Sequence, residues 1–569
     1  MGGVLLALLS LTVYLPGITS LPPIDRDESR FAQASRQMFE AAAFPEEHLD
    51  PALHDGGLVI PKVGDRLRLN KPPLIYWLQA SSAAVFTGGD PRGDAIWMYR
   101  VPSVLGATAA VLLTWFAGAR MFGARTAWLG AAMLAVSPMV VWDAHQARAD
   151  QVLLACCVLS MFGLHRVYSA AMRGQRGRWI HAAFLWLGIA AGVMTKGPIT
   201  PMIVILAAAA ISVITRRWRW LGDTRPISGL LFTSVCVLPW VGAVAAQVGW
   251  GEYIDLVFGE TVGRSASAAE GHWGPPGYHL ALIVVVFWPG AFLLGVSVIR
   301  AVRRSLKIGA SGQRWRGRRA EAGSELFLIS WVLPSWIVFE LVSTKLPHYP
   351  LPLYPALALL TARGLMAVRR GGFAGGTGFL ARLGFRLWSA IGLLLLGGSL
   401  WLAYTGFASM SPLARTIAFI GGIVTVAGVL GAVGRLLRAK PVRAQPVALL
   451  AGVGFAWLLT AAVVPTRVVL TPRIDALLDE HDPRRTRPVA ALDYHEDSLV
   501  FETRGRLRRL QSDHEHARLW LDEHPNGILV LPAHDADELP GLSVLGTASG
   551  LNYSNGRMLD LVLVERADD

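Results

Sequence analysis

Fourteen stretches of this chain are apolar over nearly the length needed to cross a bilayer, near residues 3–20, 72–88, 99–119, 126–142, 150–168, 180–194, 198–215, 227–247, 278–300, 325–343, 349–367, 385–405, 413–434 and 446–464. A helix of ~20 apolar residues spans the ~30 Å hydrocarbon core. No water is available there, so backbone N–H and C=O groups must pair within the chain, which leaves only helices and closed barrels. Runs this long and this uniformly apolar predict a polytopic α-helical membrane protein. Composition agrees, since 53% of the 569 residues are hydrophobic and only 16% are charged, too apolar a balance for a soluble chain of this length. The three cysteines, Cys156, Cys157 and Cys236, all fall in apolar runs, where they form neither a disulfide framework nor a thiolate metal site.

Lys and Arg accumulate in short cytoplasmic loops, which gives the runs a direction. The basic loops are Arg120 to Arg125, Arg166 to Arg178, "RRWRW" at 216–220, Arg300 to Arg319, Arg369 with Arg370, and "RLLRAKPVR" at 435–443. Placing all of them on one side requires that 72–88 does not cross. That run carries two prolines, Gln79 and several serines, and is expected to be an interfacial or re-entrant helix, leaving about thirteen crossings. The first run lacks a basic n-region and a small-x-small cleavage site, so it reads as a retained helix rather than a signal peptide. Residues 21–98, 143–149, 195–197, 248–277, 344–348, 406–412 and 465–569 then share the outer face. The formal charge of +13 follows from the positive-inside bias and anionic headgroups, and calls for no nucleic acid.

Beyond residue 465 the character changes. Charged residues become frequent, and "RPVAALDYH", "SLVFETR", "GILVLPA", "SVLGTA" and "RMLDLVLVE" read as strands around the helical "SDHEHARLWLDEH". Two parts are therefore expected: a membrane domain over 1–465, with a first outer loop at 21–98 containing juxtamembrane helices, and an extracytoplasmic α/β domain over 466–569. His514, His516 and His524 lie on a polar helix at irregular spacing and read as surface histidines.

Ionisable groups at membrane depth are costly, and are functional candidates by default. The outer face gathers carboxylates at Asp25, Asp27, Glu28 and Asp150, and cations at Lys71, Lys196, Arg264 and Lys345. Tyr76, Trp77, Trp273, Tyr278, His348 and Tyr349 supply hydrogen bonds and stacking surfaces. Gly197–Pro198 and Leu346–Pro347 break helices beside two of the cations, as happens where backbone lines a cavity. Acid, clustered base and aromatic beside lipid suit an anionic amphiphile with a polar headgroup.

These residues fall in motifs. "RDESRFAQASRQM" resembles the Asp-Glu-x-Arg-Tyr-Ala element of GT-C type glycosyltransferases that take sugar from a polyprenyl phosphate, with Phe31 in place of Tyr. "LNKPPLIYWLQA" resembles their Glu-Lys-Pro-Pro segment, with Asn70 before Lys71. "HQARAD", "TKGP", "FGETVGR", "STKLPHYPLPLYPALAL" and "HEDSLVFETRGR" follow in the family's order. The resemblance is to the aminoarabinose lipid A transferases and the protein O-mannosyltransferases; it covers roughly residues 1–365, continues as topology beyond that, and resumes in "HEDSLVFETRGR". It implies the GT-C fold, a bacterial inner-membrane location, and inverting transfer of a sugar from a polyprenyl-phosphate donor to a lipid or glycan acceptor at the extracytoplasmic face, among membrane lipids.

On that resemblance Asp27, Glu28, Asp150 and Lys196 are the expected catalytic groups. Lys71, Lys196, Arg264, Lys345 and Tyr349 are expected on the donor phosphate, and Arg30, Tyr76, Glu260 and His348 on the substrates. The resemblance fixes no cofactor and leaves open a divalent metal ion held by Asp27, Glu28 and Asp150. The alternative readings are glycosyl transfer to Ser or Thr of a protein acceptor, and, ranked last, transport of a lipid-linked sugar, which inverted repeats would accompany.

Overall fold

The structure is a computed structural model; it describes residues 1–24, 26–44, 57–64, 66–69, 71–258, 273–309, 318–369, 376–511 and 513–567. Four helices open the chain: α1 (Gly2–Tyr14), α2 (Arg26–Ala43), α3 (Leu74–Thr87) and α4 (Ile96–Phe122). Among the described residues, 9 helices are long and apolar enough to cross a membrane. The number is 10 if Ala124–Ala135 and Pro138–Ala144, bent by 59°, form one span.

The chain is thus a polytopic α-helical membrane protein, and nine or ten helices meet this measure among the described residues, against the expected thirteen or so. Three of the predicted runs account for the difference. Helix α1 has 13 residues, about 20 Å at 1.5 Å per residue, and Ile199–Thr215 has 17. The run 278–300 is broken into Tyr278–Val286, Trp288–Ala291 and Leu294–Gly309, with Pro289 at the break. Helix α3 has 14 residues and carries the buried Gln79, and it is not among the shorter apolar helices of the described residues, where α1 and Ile199–Thr215 are found. On the helix Pro226–Val248, Leu231 and Val235 are 64% and 72% exposed, a surface suited to lipid rather than water.

Close packing fixes the heart of the bundle. A Cβ on Gly106 of α4 would lie 2.8 Å from the backbone of Gln151 and Val152, so glycine allows α4 and the helix Asp150–Met172 to touch backbone to backbone. Ser103 Oγ donates to the Arg148 carbonyl at 3.1 Å and holds the same helix entrance from the next turn. Asp150 opens that helix and Arg173 caps its far end. Twenty-three residues at 1.5 Å rise therefore separate the acidic and basic ends by about 34 Å.

Helix α2 lies between the bundle and the carboxy-terminal domain. Asp27 and Glu28 occupy its first turn, where carboxylates favour the positive end of the helix dipole. Ahead of α3, the short strands β1 (Lys62–Val63) and β2 (Arg66–Leu67) pair antiparallel and deliver Arg68 to the flank of α2.

The carboxy-terminal domain is a five-stranded sheet of order β4-β3-β5-β7-β6, formed by β3 (Val489–Leu492), β4 (Leu507–Leu510), β5 (Ile528–Pro532), β6 (Leu542–Asn552) and β7 (Arg557–Arg566). β4, β3 and β5 run parallel, and β7 and β6 antiparallel. β3 is buried throughout: Val489 and Ala491 enter one core and Ala490 and Leu492 the other, as strand alternation requires. The predicted strand "SLVFETR" is instead the helix Asp497–Glu502. Its three consecutive apolar residues split between surfaces, Leu499 and Val500 facing the domain core and Phe501 facing α2 and α4. The edge strand β4 then falls on the more charged "LRRL".

Candidate active site

Asp150 and Lys196 meet at the end of the apolar core. Lys196 closes the helix Trp179–Lys196, and Gly197 follows at φ 64°, ψ −131°, a conformation only glycine adopts readily. Pro198 then leads into Ile199–Thr215. This turn aims the Lys196 ammonium at Asp150, and Nζ donates to Oδ1 at 2.6 Å. The lysine side chain keeps 18% exposure and the aspartate 7%, so the pair faces an opening.

That opening is a cavity of about 460 Å³. Its polar corner is formed by Lys71, Asp150, Lys196 and Tyr349. The walls are apolar, supplied by residues such as Met202, Val237, Trp240 and Phe339 from three helices. An apolar cavity with two ammonium groups, a carboxylate and a phenol in its lining complements an anionic head on a lipid tail.

Arg148 links this corner to α2. Its guanidinium lies 3.8 Å from Asp150 Oδ2, 3.6 Å from Asp27 Oδ2 and 3.7 Å from Asp143 Oδ1, and Nη2 is 3.1 Å from His348 Nε2. A guanidinium can only donate, so His348 accepts and is neutral. Burial and Arg148 hold its pKa well below the usual histidine value. Asp27 is ringed by Arg148, by Arg68 at 4.0 Å and by Arg30 at 4.0 Å. Desolvation pushes its carboxyl up, but Arg148, Arg68, His348 and Arg30 outweigh it and hold it well below the carboxylate range. With 39% of its side chain exposed, Asp27 is an ionised and reachable carboxylate.

Other expected site residues have different positions. Glu28 is fully buried and accepts from Arg100 Nε at 2.8 Å, Arg100 Nη2 at 3.0 Å and the Ala147 N–H at 2.8 Å. Its oxygens are occupied by protein donors, unlike the catalytic or metal-binding placement expected from the sequence. Tyr76 is fully buried, stacked on Phe31 at 5.4 Å and accepting from Arg68 Nε at 2.9 Å. Its hydroxyl is thereby engaged with Arg68. Lys345 is engaged locally: its Nζ donates to the carbonyls of Glu340 at 2.6 Å and of Phe339 and Val342, completing the end of the helix Arg318–Leu341. Arg30 turns outward to Asp497, its Nε donating at 2.6 Å. Glu260 and Arg264 lie outside the described residues, as do Asp25 and Asn70.

Among the described residues no group of three metal-ligating side chains converges. Of the proposed trio, Glu28 is consumed by Arg100, and Asp27 and Asp150 share cations. That donor set does not fit a divalent ion, which needs several unneutralised oxygens.

Arg100, Arg68 and Arg148 were under-read from sequence. Arg100 had a signal, a charge inside the apolar run 99–119. It is fully buried and its fork is filled, Nη1 donating to the carbonyls of Ile18 and Leu21, Nη2 to that of Pro22, and Nε with Nη2 to Glu28.

Residues 70–242 match the family model described as dolichyl-phosphate-mannose-protein mannosyltransferase. The undecaprenyl phosphate-alpha-4-amino-4-deoxy-L-arabinose arabinosyl transferase of Pseudomonas aeruginosa is 27% identical over 594 aligned positions, covering 97% of this chain and 98% of its own. The enzyme of the same name from Edwardsiella ictaluri is 28% identical over 354, covering 62% of this chain; the chain spans 56% of that relative's length. In three dimensions the chain is similar to ArnT from Cupriavidus metallidurans bound to undecaprenyl phosphate, with TM-score 0.72, 19% identity and coverage of 98% and 97%. It is more distantly similar to the archaeal oligosaccharyltransferase AglB from Archaeoglobus fulgidus in complex with an inhibitory peptide and a dolichol-phosphate, with TM-score 0.53, 10% identity and coverage of 93% and 69%. That oligosaccharyltransferase also has a structure in complex with Zn and sulfate, with TM-score 0.50, 10% identity and coverage of 94% and 68%.

Proposed function

We propose that this chain, a GT-C type glycosyltransferase of the aminoarabinose-transferase and protein-mannosyltransferase kind, moves a sugar from a polyprenyl-phosphate donor to a lipid or other cell-envelope acceptor. It acts as a multi-pass protein of the inner membrane, at the extracytoplasmic face, where its carboxy-terminal domain also lies. The observation that carries this reading is the apolar cavity ending at Lys71, Lys196 and Asp150, joined through Arg148 to the ionised Asp27.

The donor's isoprenoid tail lies along the apolar walls, with its phosphate at Lys196 and Lys71. The acceptor oxygen attacks the anomeric carbon from the opposite face while the bond to the phosphate oxygen breaks. The electron pair leaves on the phosphate, and configuration inverts in one displacement. Lys196 stabilises the charge that grows on the leaving phosphate, and its pairing with Asp150 fixes its direction. A strongly acidic Asp27 is a weak base but a dependable hydrogen-bond acceptor. It orients the acceptor and takes the proton late if that acceptor is a hydroxyl. An anionic acceptor brings no proton, and is matched instead by Arg68 and Arg148. Arg264 and Glu260 complete the phosphate and sugar contacts in this reading, with Tyr349 and His348 on the donor side.

Thirteen crossings are kept in this proposal by counting α1, Ile199–Thr215 and the broken segment 278–309 with the ten spans, in a bilayer thinned around short helices. No step is assigned to a metal ion.

The test is transfer by the full-length protein in nanodiscs, using undecaprenyl-phosphate carrying 4-amino-4-deoxy-arabinose or mannose. Lipid A and a Ser/Thr-containing peptide are offered in parallel. Sugar appearing on lipid A supports the proposal. Sugar on the peptide alone favours the protein acceptor that the family match at 70–242 raises, and no transfer to any envelope acceptor refutes it.

A further inference from the structure

Asp27 is flanked on α2 by two arginines, one residue before it and three after, and both are held by the carboxy-terminal domain. Arg26 donates from Nε and Nη2 to the two oxygens of Glu496, each at 3.0 Å. Glu496 is itself fixed by Asn552 Nδ2 at 3.0 Å and Ser554 Oγ at 2.6 Å. Arg30 Nε donates to Asp497 Oδ2 at 2.6 Å, and the other oxygen of Asp497 accepts from Arg509 at 2.6 Å. Asp497 is nearly inaccessible, with 4% of its side chain exposed.

The grip continues down one face of the helix. Arg36 donates to the Phe501 carbonyl at 2.5 Å and stacks 3.7 Å over its ring. Arg504 reaches back to Glu40 at 3.0 Å and to Asp94 at 2.9 Å. Residues 26, 30 and 40, with 36 beside them, fall on a common stripe at helical spacing. Glu28 and Phe31 face the bundle, bonded to Arg100 and stacked on Tyr76. Asp27 projects between these two faces.

We infer that the carboxy-terminal domain is a positioning element of the catalytic site, with Asp497 setting Asp27 through Arg30. The first turn of a helix has N–H groups without intrahelical partners and is its least constrained part. Two buried carboxylates from a separate domain clamp that turn on both sides of the reacting residue. Arg30, tethered at Nε by Asp497, presents Nη1 at 4.0 Å from Asp27 Oδ1. The domain thereby fixes the carboxylate on which acceptor orientation depends, at a distance where a displacement of ~1 Å costs about 10²-fold in rate. The inference rests on the role given to Asp27 above.

The experiment compares full-length wild type, Asp497→Asn, Asp497→Glu, Arg30→Gln, the Arg30→Gln/Asp497→Asn double variant, Arg504→Ala and Asp27→Asn in nanodiscs, reading kcat, acceptor KM, donor-lipid affinity and unfolding temperature. Asp497→Asn is expected to lower kcat about 10- to 100-fold with donor affinity within about twofold, and Asp497→Glu to recover part of the loss. The double variant is expected to be no slower than the worse single one, because both break the same link. Arg504→Ala, which cuts the same interface at Glu40 and Asp94, is expected to retain most of kcat. Wild-type kcat in Asp497→Asn beside an inactive Asp27→Asn would overturn this inference alone. An active Asp27→Asn would overturn the site reading and this inference with it. Equal losses in Arg504→Ala and Asp497→Asn would reduce the domain to general support of the fold and refute the specific link.

Discussion

Asp27 and Glu28 are adjacent carboxylates in one helical turn, and changing each to its amide isostere should have opposite consequences. Glu28 makes three bonds of 2.8–3.0 Å to Arg100 and the Ala147 N–H from a fully buried position. Glu28→Gln keeps one oxygen but turns an NH2 group toward a donor, and removes the charge that balances a fully buried guanidinium. Hydrogen bonds to charged groups are worth about 1.5–3 kcal/mol each, and breaking a buried pair costs about 3–5 kcal/mol. With one acceptor retained, a loss of about 3 kcal/mol in unfolding free energy is expected. The ion pairs from Asp27 to Arg148, Arg68 and Arg30 are long, at 3.6–4.0 Å, and its side chain is 39% exposed, so Asp27→Asn should cost less stability than Glu28→Gln. Its transfer rate should nevertheless fall about 10²-fold or more. Denaturant titration in mild detergent, with transfer and donor-lipid binding measured on the same preparations, separates the two effects. A Glu28→Gln protein of wild-type stability that cannot transfer would refute this division of labour, as would an Asp27→Asn protein that transfers normally.

The same geometry sets the remaining expectations. Lys196→Ala should cut kcat by about 10²- to 10³-fold, as loss of a single donor to developing charge does, whereas Lys345→Ala should lower thermal stability with kcat within a fewfold, because its ammonium is spent on helix-end carbonyls; equal kinetic losses would restore Lys345 to the phosphate. Glu502 is pushed up to about 7, by burial first and by the nearby Asp475 second. Its folded-state pKa lies above its unfolded one, so the native state loses stability as pH rises from the ordinary glutamate range through about 7. Glu502→Gln should therefore raise the unfolding temperature relative to wild type at pH 8 and leave it nearly unchanged at pH 4.5; a gain confined to acid pH would contradict this sign. Since the carboxyl of Asp27 sits well below the carboxylate range, transfer should show no acid limb from it between pH 5.5 and 8, which a rate profile in nanodiscs checks. Chelation with EDTA should leave turnover within about twofold, given donors already committed to cations; recovery of a lost rate by one divalent ion would overturn that.

What the sequence made legible follows from what is costly in lipid. Asp150 and Lys196 stood out as charges at the ends of apolar runs, and the structure joins them at 2.6 Å. The outer-face grouping needed only loop charges and run lengths, which are local quantities. Arg100 carried the same signal and could have been found by the same rule, but its partner Glu28 lies 72 residues away, and no spacing connects them. The difference between Asp27 and Glu28 was out of reach for a similar reason. One step of ~100° around α2 sends Glu28 into the bundle and leaves Asp27 beside Arg148, and which face is which depends on where Arg100 and Arg148 arrive. Lys345 has a local account in the sequence, since a lysine just beyond a helix end commonly bonds its last carbonyls, as it does here. "SLVFETR" was read as a strand because three consecutive apolar residues have no period; it is a helix because a second surface, α2, takes Phe501 while the sheet takes Leu499 and Val500. Glu496 and Asp497 depend on the same kind of information. They look like surface acids until the 470-residue separation from Arg26 is closed, and folding alone supplies that closure. Ionic groups that must avoid lipid can thus be located from sequence, whereas assigning each one a structural or reactive role requires knowing which distant charge it meets.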